Sequence, residues 1–259
     1  MSNIPAKIDR VLQEGYEFRF GDYISKGFDL VNKNLGGFIG YGLVYLLISL
    51  FVAMIPVLGQ IAGVIIGPAL LAGFYHVANQ VDRGNPTVFG DFFKGFDKLG
   101  NLFLTSLLTG LIVVVSAIPG LIVLFTSGFS ITSLMMGEPA EENTSMIVVG
   151  VLLMLIPALY LGVSYLFAPM LVWFYDLKPW DALETSRKLI GKNWGIFFGF
   201  MLVMGIIASL GLLLLGVGLL YTMPAYLCAN YAAFADVTRL NEGDEDRSAD
   251  LIDHFVPQS

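Results

Sequence analysis

Charge is what this chain lacks, and it lacks it in blocks. Only 14% of its 259 residues are charged, against about 25% in an ordinary soluble domain. No Asp, Glu, Lys or Arg occurs in residues 34–81, 99–137, 143–175 or 193–235. Blocks of that length exclude an ordinary soluble fold and point to lipid as the solvent. Cysteine is nearly absent too. The single Cys228 excludes an internal disulfide and, inside an apolar run, reads as a small hydrophobe. Reactive motifs are missing: there is no H-E-x-x-H, no G-x-S-x-G and no P-loop. A net charge of −7 disfavours nucleic acid as a partner. The expectation is therefore no catalytic, metal-binding or cofactor-binding residue, and no cofactor.

What is present is enough apolar chain to cross a bilayer repeatedly. A helix needs about 20 apolar residues to do so once. The first block fits two crossings, with the break at Pro56-Val57-Leu58-Gly59-Gln60, where Pro and Gly favour a turn. The last block also fits two, broken within 211–218. The two middle blocks give one long span each. The expected helices are 36–57, 61–81, 99–125, 147–175, 194–213 and 217–237. The first apolar run begins near Leu35, too far in for a cleaved leader, so it is expected to direct insertion itself and stay.

Six crossings put both termini on one side, and the basic residues say which. Lys7, Arg10, Arg19, Lys26 and Lys33 precede the first span. Arg83, Lys94 and Lys98 lie between the second and third, and Lys178, Arg187, Lys188 and Lys192 between the fourth and fifth. Arg239 and Arg247 follow the sixth. The segment between the third and fourth has only Glu138, Glu141 and Glu142. The positive-inside rule then makes the basic side cytoplasmic, and Trp173, Trp180 and Trp194 fall at the same interface. The predicted location is a bacterial cytoplasmic (inner) membrane with both termini cytoplasmic.

Each pair of spans is preceded by an amphipathic stretch. Ile24, Phe28, Val31 and Leu35 form the first stripe; Val88, Phe89, Phe92, Phe93, Phe96 and Leu99 the second. Leu183, Ser186, Leu189 and Ile190 form the third, in a helix opened by Pro179. Such helices are expected in the headgroup plane, with membrane lipid as partner. The chain also repeats itself. Lys33-Asn34-Leu35-Gly36-Gly37-Phe38 returns as Lys192-Asn193-Trp194-Gly195-Ile196-Phe197, and Pro68-Ala69-Leu70-Leu71 as Pro224-Ala225-Tyr226-Leu227. The expected fold is all-α: a polytopic membrane protein of six transmembrane helices in three hairpins, forming a parallel pseudo-repeat. Residues 1–35 would be a cytoplasmic segment, 36–240 the transmembrane domain, and 241–259 an acidic, partly disordered tail.

Polar and small residues inside spans are the candidate sites. Gly73, His76, Asn79 and Gln80 share a face with Ala69, Ala72 and Arg83; Ala229 shares one with Ala225, Cys228 and Ala232. Small residues let helix backbones approach closely in lipid. His76 reads first as a structural hydrogen bond, with a proton or transport role as its rival; Asn230 reads the same way. Asp82–Arg83 and Asp236–Arg239 are expected as surface ion pairs. Ser164 with His76 as base is the faintest possibility, an intramembrane serine nucleophile.

At Gly67-Pro68-Ala69-Leu70-Leu71-Ala72-Gly73-Phe74-Tyr75, then Arg83-Gly84-Asn85 and Asp91-Phe92-Phe93-Lys94-Gly95-Phe96, the chain resembles a family of uncharacterised bacterial six-helix membrane proteins. A second signature runs from Ala168-Pro169-Met170-Leu171 through Ala182-Leu183-Glu184-Thr185-Ser186 to Gly191-Lys192-Asn193-Trp194. The resemblance implies a relation to the membrane domain attached to some glycerophosphodiester phosphodiesterases, without the phosphodiesterase itself. It implies no activity. A non-catalytic scaffold or accessory protein is the leading expectation, with protein partners or a homo-oligomer left open. A carrier of a small or amphiphilic solute is the alternative.

Overall fold

The computed structural model describes residues 5–55, 58–127, 144–214 and 216–242. Among these every regular element is helical. The acidic tail from residue 243 onward, and the connection carrying Glu138, Glu141 and Glu142, lie outside the described residues.

Two short helices come first, α1 (Ala6–Glu14) and α2 (Phe20–Lys33). The apolar helices α3 (Leu35–Ala53) and α4 (Leu58–Asp82) follow. A 3-10 helix, Phe89–Lys98, leads directly into α5 (Leu99–Thr126). Then come α6 (Thr144–Ser164), α7 (Ala168–Tyr175) and α8 (Pro179–Gly191). The chain ends in α9 (Trp194–Leu210), a 3-10 turn Gly211–Leu214, and α10 (Leu219–Val237). Five helical segments are long and apolar enough to cross a membrane: Leu35–Ala53, Ile61–Asp82, Phe89–Thr126, Thr144–Tyr175 and Trp194–Leu213. The chain is a membrane protein.

Helix α10 matches the expected sixth span in position but is not among those five. Pro224, Asn230, Asp236 and three tyrosines dilute its apolarity. Its environment permits this. Ala225 and all of Cys228–Ala235 are buried against protein, chiefly α2 and α9 with α3 and α4 beyond. A helix wrapped by other helices has no need of a uniformly apolar surface. The other spans are solvated differently. Only 11% of the most apolar stretch of α3 is buried, and 6% of that in Phe89–Thr126, against 44% in Ile61–Asp82. Leu47, Phe51, Val114, Ile122 and Phe125 stand outward, as side chains facing acyl chains would.

Several boundaries differ from the sequence expectation. Helix α3 ends at Ala53 rather than 57. The expected single span 147–175 is broken at 165–167. Ser186 on α8 bridges that break: its hydroxyl donates to Ser164 O (2.7 Å) and accepts from Phe167 N (3.2 Å). The break is thus held by a side chain remote in sequence. The second amphipathic stretch is 3-10 rather than α-helical. It buries Asp91, Phe92 and Gly95 and leaves Val88, Phe89 and Phe96 outward. The buried stripe of α2 is Tyr23, Gly27, Leu30 and Val31, while Leu35 is exposed. The α8 stripe is as expected, with Leu183, Ser186, Leu189 and Ile190 buried.

Glycine decides where the amphipathic segments dock. A Cβ on Gly95 would overlap the carbonyl oxygen of Ala69, and a Cβ on Gly73 that of Phe92. The 3-10 helix and α4 therefore touch backbone to backbone. In the same way a Cβ on Gly27 of α2 would lie 2.7 Å from Ala229 Cβ and 2.8 Å from Ala225 O. Within the α5–α6 pair, Gly120 and Gly150 leave each other room. Such contacts gain dispersion energy along the whole approach and tolerate no side chain. Gly73→Val and Gly95→Val are each predicted to cost about 1–3 kcal/mol, the usual range for overpacking. Thermal unfolding in detergent would show a lowered midpoint for both, and Gly100→Ala, where an added Cβ meets nothing within 4 Å, is the unchanged control.

Candidate functional site

The polar side chains converge at one end of the bundle. Three apolar segments terminate there in aspartate, and each carboxylate meets a cation from an amphipathic segment. Asp82, ending α4, takes Lys26 of α2 at 2.9 Å. Asp176, just after α7, pairs with Lys98 at the end of the 3-10 helix. Asp236, near the end of α10, pairs with Arg19 at the start of α2. These partners replace the expected Asp82–Arg83 and Asp236–Arg239 pairs. Neighbouring side chains of a helix end diverge, whereas α2 crosses both ends; Arg239 instead reaches Glu14 (3.5 Å) and Glu242 (3.8 Å).

The Asp82 cluster is the most deeply set. Asn79 Nδ2 donates to Tyr231 Oη (2.8 Å) and to Asn241 Oδ1 (3.0 Å). Tyr231 Oη donates to Asp82 Oδ2 (3.1 Å), and Asn241 Nδ2 donates to the same oxygen (3.1 Å). With Lys26 on Oδ1, the carboxylate has three donors from three parts of the chain. This is how a charge at the edge of an apolar core is kept. Asn79 was the part of this network visible in sequence. Tyr231, Asn241 and Lys26 were not, because they meet it only through the fold.

A second cluster joins α2 to α10. Tyr23 Oη donates to Asp236 Oδ2 at 2.5 Å. Burial pushes the Tyr23 hydroxyl well above the usual tyrosine range, and the bond to Asp236 adds to the rise. It stays protonated and remains a donor. A third cluster stands on Trp173. Lys98 Nζ lies 5.3 Å from the centre of the Trp173 ring and donates to Trp173 O (2.8 Å), a cation–π arrangement. Asp176 adopts a left-handed conformation, φ 53°, which short polar residues tolerate.

His76 lies edge-on to the same Trp173, ring centres 5.5 Å apart. Its Nε2 is buried and has no hydrogen-bond partner among the described residues. Asn230 is fully buried, and neither atom of its amide is partnered among the described residues. Gln80 Oε1 accepts from Asn85 Nδ2 (2.7 Å) in the turn after α4. Gly73 and Ala229 are the docking points already described. The structure therefore divides the sequence candidates: Gly73 and Ala229 are backbone contacts, Asn79 belongs to the Asp82 cluster, and His76 and Asn230 stand apart from it. Ser164 Oγ donates to Tyr160 O in its own helix (2.6 Å). Among the described residues no group of three His, Cys, Asp or Glu has metal-binding geometry.

Two predictions follow from this geometry. Tyr231→Phe removes one donor from Asp82 and one of the two acceptors of Asn79, a loss of about 1–3 kcal/mol, while Tyr45→Phe on the exposed face of α3 should change the unfolding midpoint little. Glu184 is held below the usual carboxylate range by Arg187, bonded at 2.8 and 2.9 Å, and then by Lys188. A carboxylate so depressed stabilises the fold above its unfolded pKa, and that stabilisation disappears as pH falls through the folded value. Melting curves across pH 2–6 should accordingly show a smaller acid loss for Glu184→Gln than for the unaltered chain.

No solved structure matches this chain. A probable inner membrane protein of Burkholderia thailandensis is 26% identical over 243 residues, covering 82% of this chain and 88% of that one. A family model described as "Protein of unknown function (DUF975)" matches residues 33–241. Neither match links the chain to a phosphodiesterase or to any activity. The match runs from the last residue of α2 through the Asp82 and Asp236 clusters, and on that extent the chain belongs to the DUF975 family, a family of unknown function.

Proposed function

We propose that this protein is a non-catalytic scaffold or accessory protein of a bacterial inner membrane. Its six spans would form three hairpins with both termini cytoplasmic. The observation that carries the reading is the use made of polar groups: Asp82, Asp176 and Asp236 each bind a cation that ties an amphipathic segment to a span. Side chains committed to holding helices together are not free to bind solute or do chemistry. The inner membrane location draws on the Burkholderia relative, described as a probable inner membrane protein.

The sixth span would be α10, admitted to the bilayer because other helices cover it. The three-hairpin reading is supported by a cyclic order of contacts. The 3-10 helix ahead of α5 rests on α4, α8 ahead of α9 rests on α7 and equally on α5, and α2 ahead of α3 rests on α10. Ala69 and Gly73 after Pro68 play toward Gly95 the part that Ala225 and Ala229 after Pro224 play toward Gly27. Asn34 and Asn193 both sit at the N-cap of a span.

The carrier remains the rival reading, and His76 is what favours it: a buried ring nitrogen without a partner among the described residues is the kind of group that proton-coupled transport uses. The two readings separate in proteoliposomes. A scaffold leaves proton and small-solute permeability at the level of empty vesicles, with or without His76→Ala. Flux above that level, abolished by His76→Ala in a protein that still folds, would establish the carrier instead.

A further inference from the structure

Helix α1 cannot hold itself together. It has nine residues, Ala6–Glu14, fewer than the about 12 that an isolated helix needs to be even marginally stable in water. Pro5 at its N-cap makes no side-chain hydrogen bond, and its last turn has no basic residue. Glu14 closes it instead, and a carboxylate is unfavourable at the negative end of a helix dipole. Other parts of the chain supply what α1 lacks. Lys192, at the end of α8, donates to Leu12 O, one of the last carbonyls for which a helix has no partner of its own. Arg239, just after α10, pairs with Glu14 at 3.5 Å. Lys7 Nζ donates to Glu242 O. Along the helix itself, Ile8 and Val11 are the buried residues, set three apart on one face, and α1 rests on α8.

Beyond α1 the chain is pinned again, because Tyr16 Oη donates to Leu189 O (2.6 Å). Between pin and helix stands Gly15, at φ 84°, a conformation that glycine adopts readily. The segment thus has a fixed point at Tyr16, a permissive joint at Gly15, and a short helix held by two apolar side chains and by polar contacts at its ends. Segments with so few buried contacts open locally at low cost. Arg239 stands where an arginine is unexpected. The end of α10 is a Schellman turn: Leu240 N donates to Ala235 O (2.8 Å) and Arg239 N to Asp236 O (3.0 Å). That leaves Arg239 left-handed at φ 52°. Glycine usually fills this position, and a longer side chain there carries a conformational cost. What the arginine adds is a guanidinium within reach of Glu14.

We propose that α1 is a detachable strap, helical while docked on α8 and released about Gly15 as an unfolded segment when Lys192 and Arg239 lose their grip on its C-terminal end. Release uncovers the seat of Ile8 and Val11 and frees two cations. The pair at that end is half-exposed, with the Glu14 side chain at 56% and that of Arg239 at 33%. Exposed charges are screened by salt and apolar anchors are not, so the strap responds to ionic strength. The family match begins at residue 33, so Leu189, Lys192 and Arg239 lie inside the matched region and the strap outside it. The strap does not depend on whether the protein is a scaffold or a carrier.

The test is hydrogen–deuterium exchange of the full chain in detergent, read by mass spectrometry, with α2 as the internal reference. The amides of α1 are expected to exchange faster than those of α2, and faster still as salt rises from about 0.01 M to about 1 M. Lys192→Met should accelerate α1 about 2–5-fold, the effect of losing a cation at a helix C-terminus. Lys188→Met, which removes a partner of Glu184 (3.4 Å) instead, should leave α1 unchanged. Arg239→Gly should accelerate α1 by a similar factor without lowering the melting midpoint of the whole protein, since glycine relieves the left-handed turn. Exchange of α1 as slow as that of α2, or indifferent to salt or to either Lys192→Met or Arg239→Gly, overturns the proposal. So does a midpoint that falls in Arg239→Gly, which would make the arginine part of the global fold rather than the grip on a strap.

Discussion

An ionised side chain is costly in hydrocarbon, and this constraint orders the whole molecule. It empties the spans of charge and gathers Lys26, Lys98 and Arg19 with Asp82, Asp176 and Asp236 at one end. Backbone polarity imposes the companion rule. Where N–H and C=O groups find no water, helices are the natural solution, and among the described residues helices are what form. The break at 165–167 is the exception, and there Ser186 supplies both a donor and an acceptor to the interrupted backbone.

Charge gathered at one end would repel itself if it were only gathered. Here each span-end carboxylate is neutralised by a cation from a segment that also docks by close backbone contact. Gly27 against Ala225 and Ala229, and Gly95 against Ala69, fix how near the amphipathic segments come. The ion pairs then close over those contacts. Individually such half-exposed pairs stabilise little. Their value is positional, since a misplaced segment would strand Asp82 at the edge of an apolar core. The aromatic cluster of Phe18, Tyr23, Phe197 and Phe200 continues the same packing toward α9.

Much of this was legible in the sequence, because lipid imposes its pattern residue by residue. The uncharged blocks marked where five apolar helical segments lie, though not the break at 165–167, and glycine and alanine spacing pointed to Gly73 and Ala229, which lie at close backbone approaches to the 3-10 helix and to α2. The ion-pair partners were not legible. Asp82 stands beside Arg83 in the chain but meets Lys26, because α2 folds back across α4 and α10; adjacency in sequence is a poor guide to adjacency at a helix end. In the sequence Tyr231 is one aromatic among many; only the fold brings Asn79 and Asp82 to its hydroxyl. The low apolarity of α10 is intelligible only once α2, α9, α3 and α4 are seen to cover it.

The proposed orientation puts the end of the bundle that carries the basic residues and the paired aspartates in the cytoplasm. Single cysteines at Lys94 and Lys188, with a third at Ser133 in the long connection after α5, measure it directly with a membrane-impermeant maleimide on whole cells. Cys228 is buried and gives little background. The account predicts that Ser133→Cys reacts in intact cells, while Lys94→Cys and Lys188→Cys react only after the cells are opened. Labelling of Lys94→Cys or Lys188→Cys from outside would contradict it.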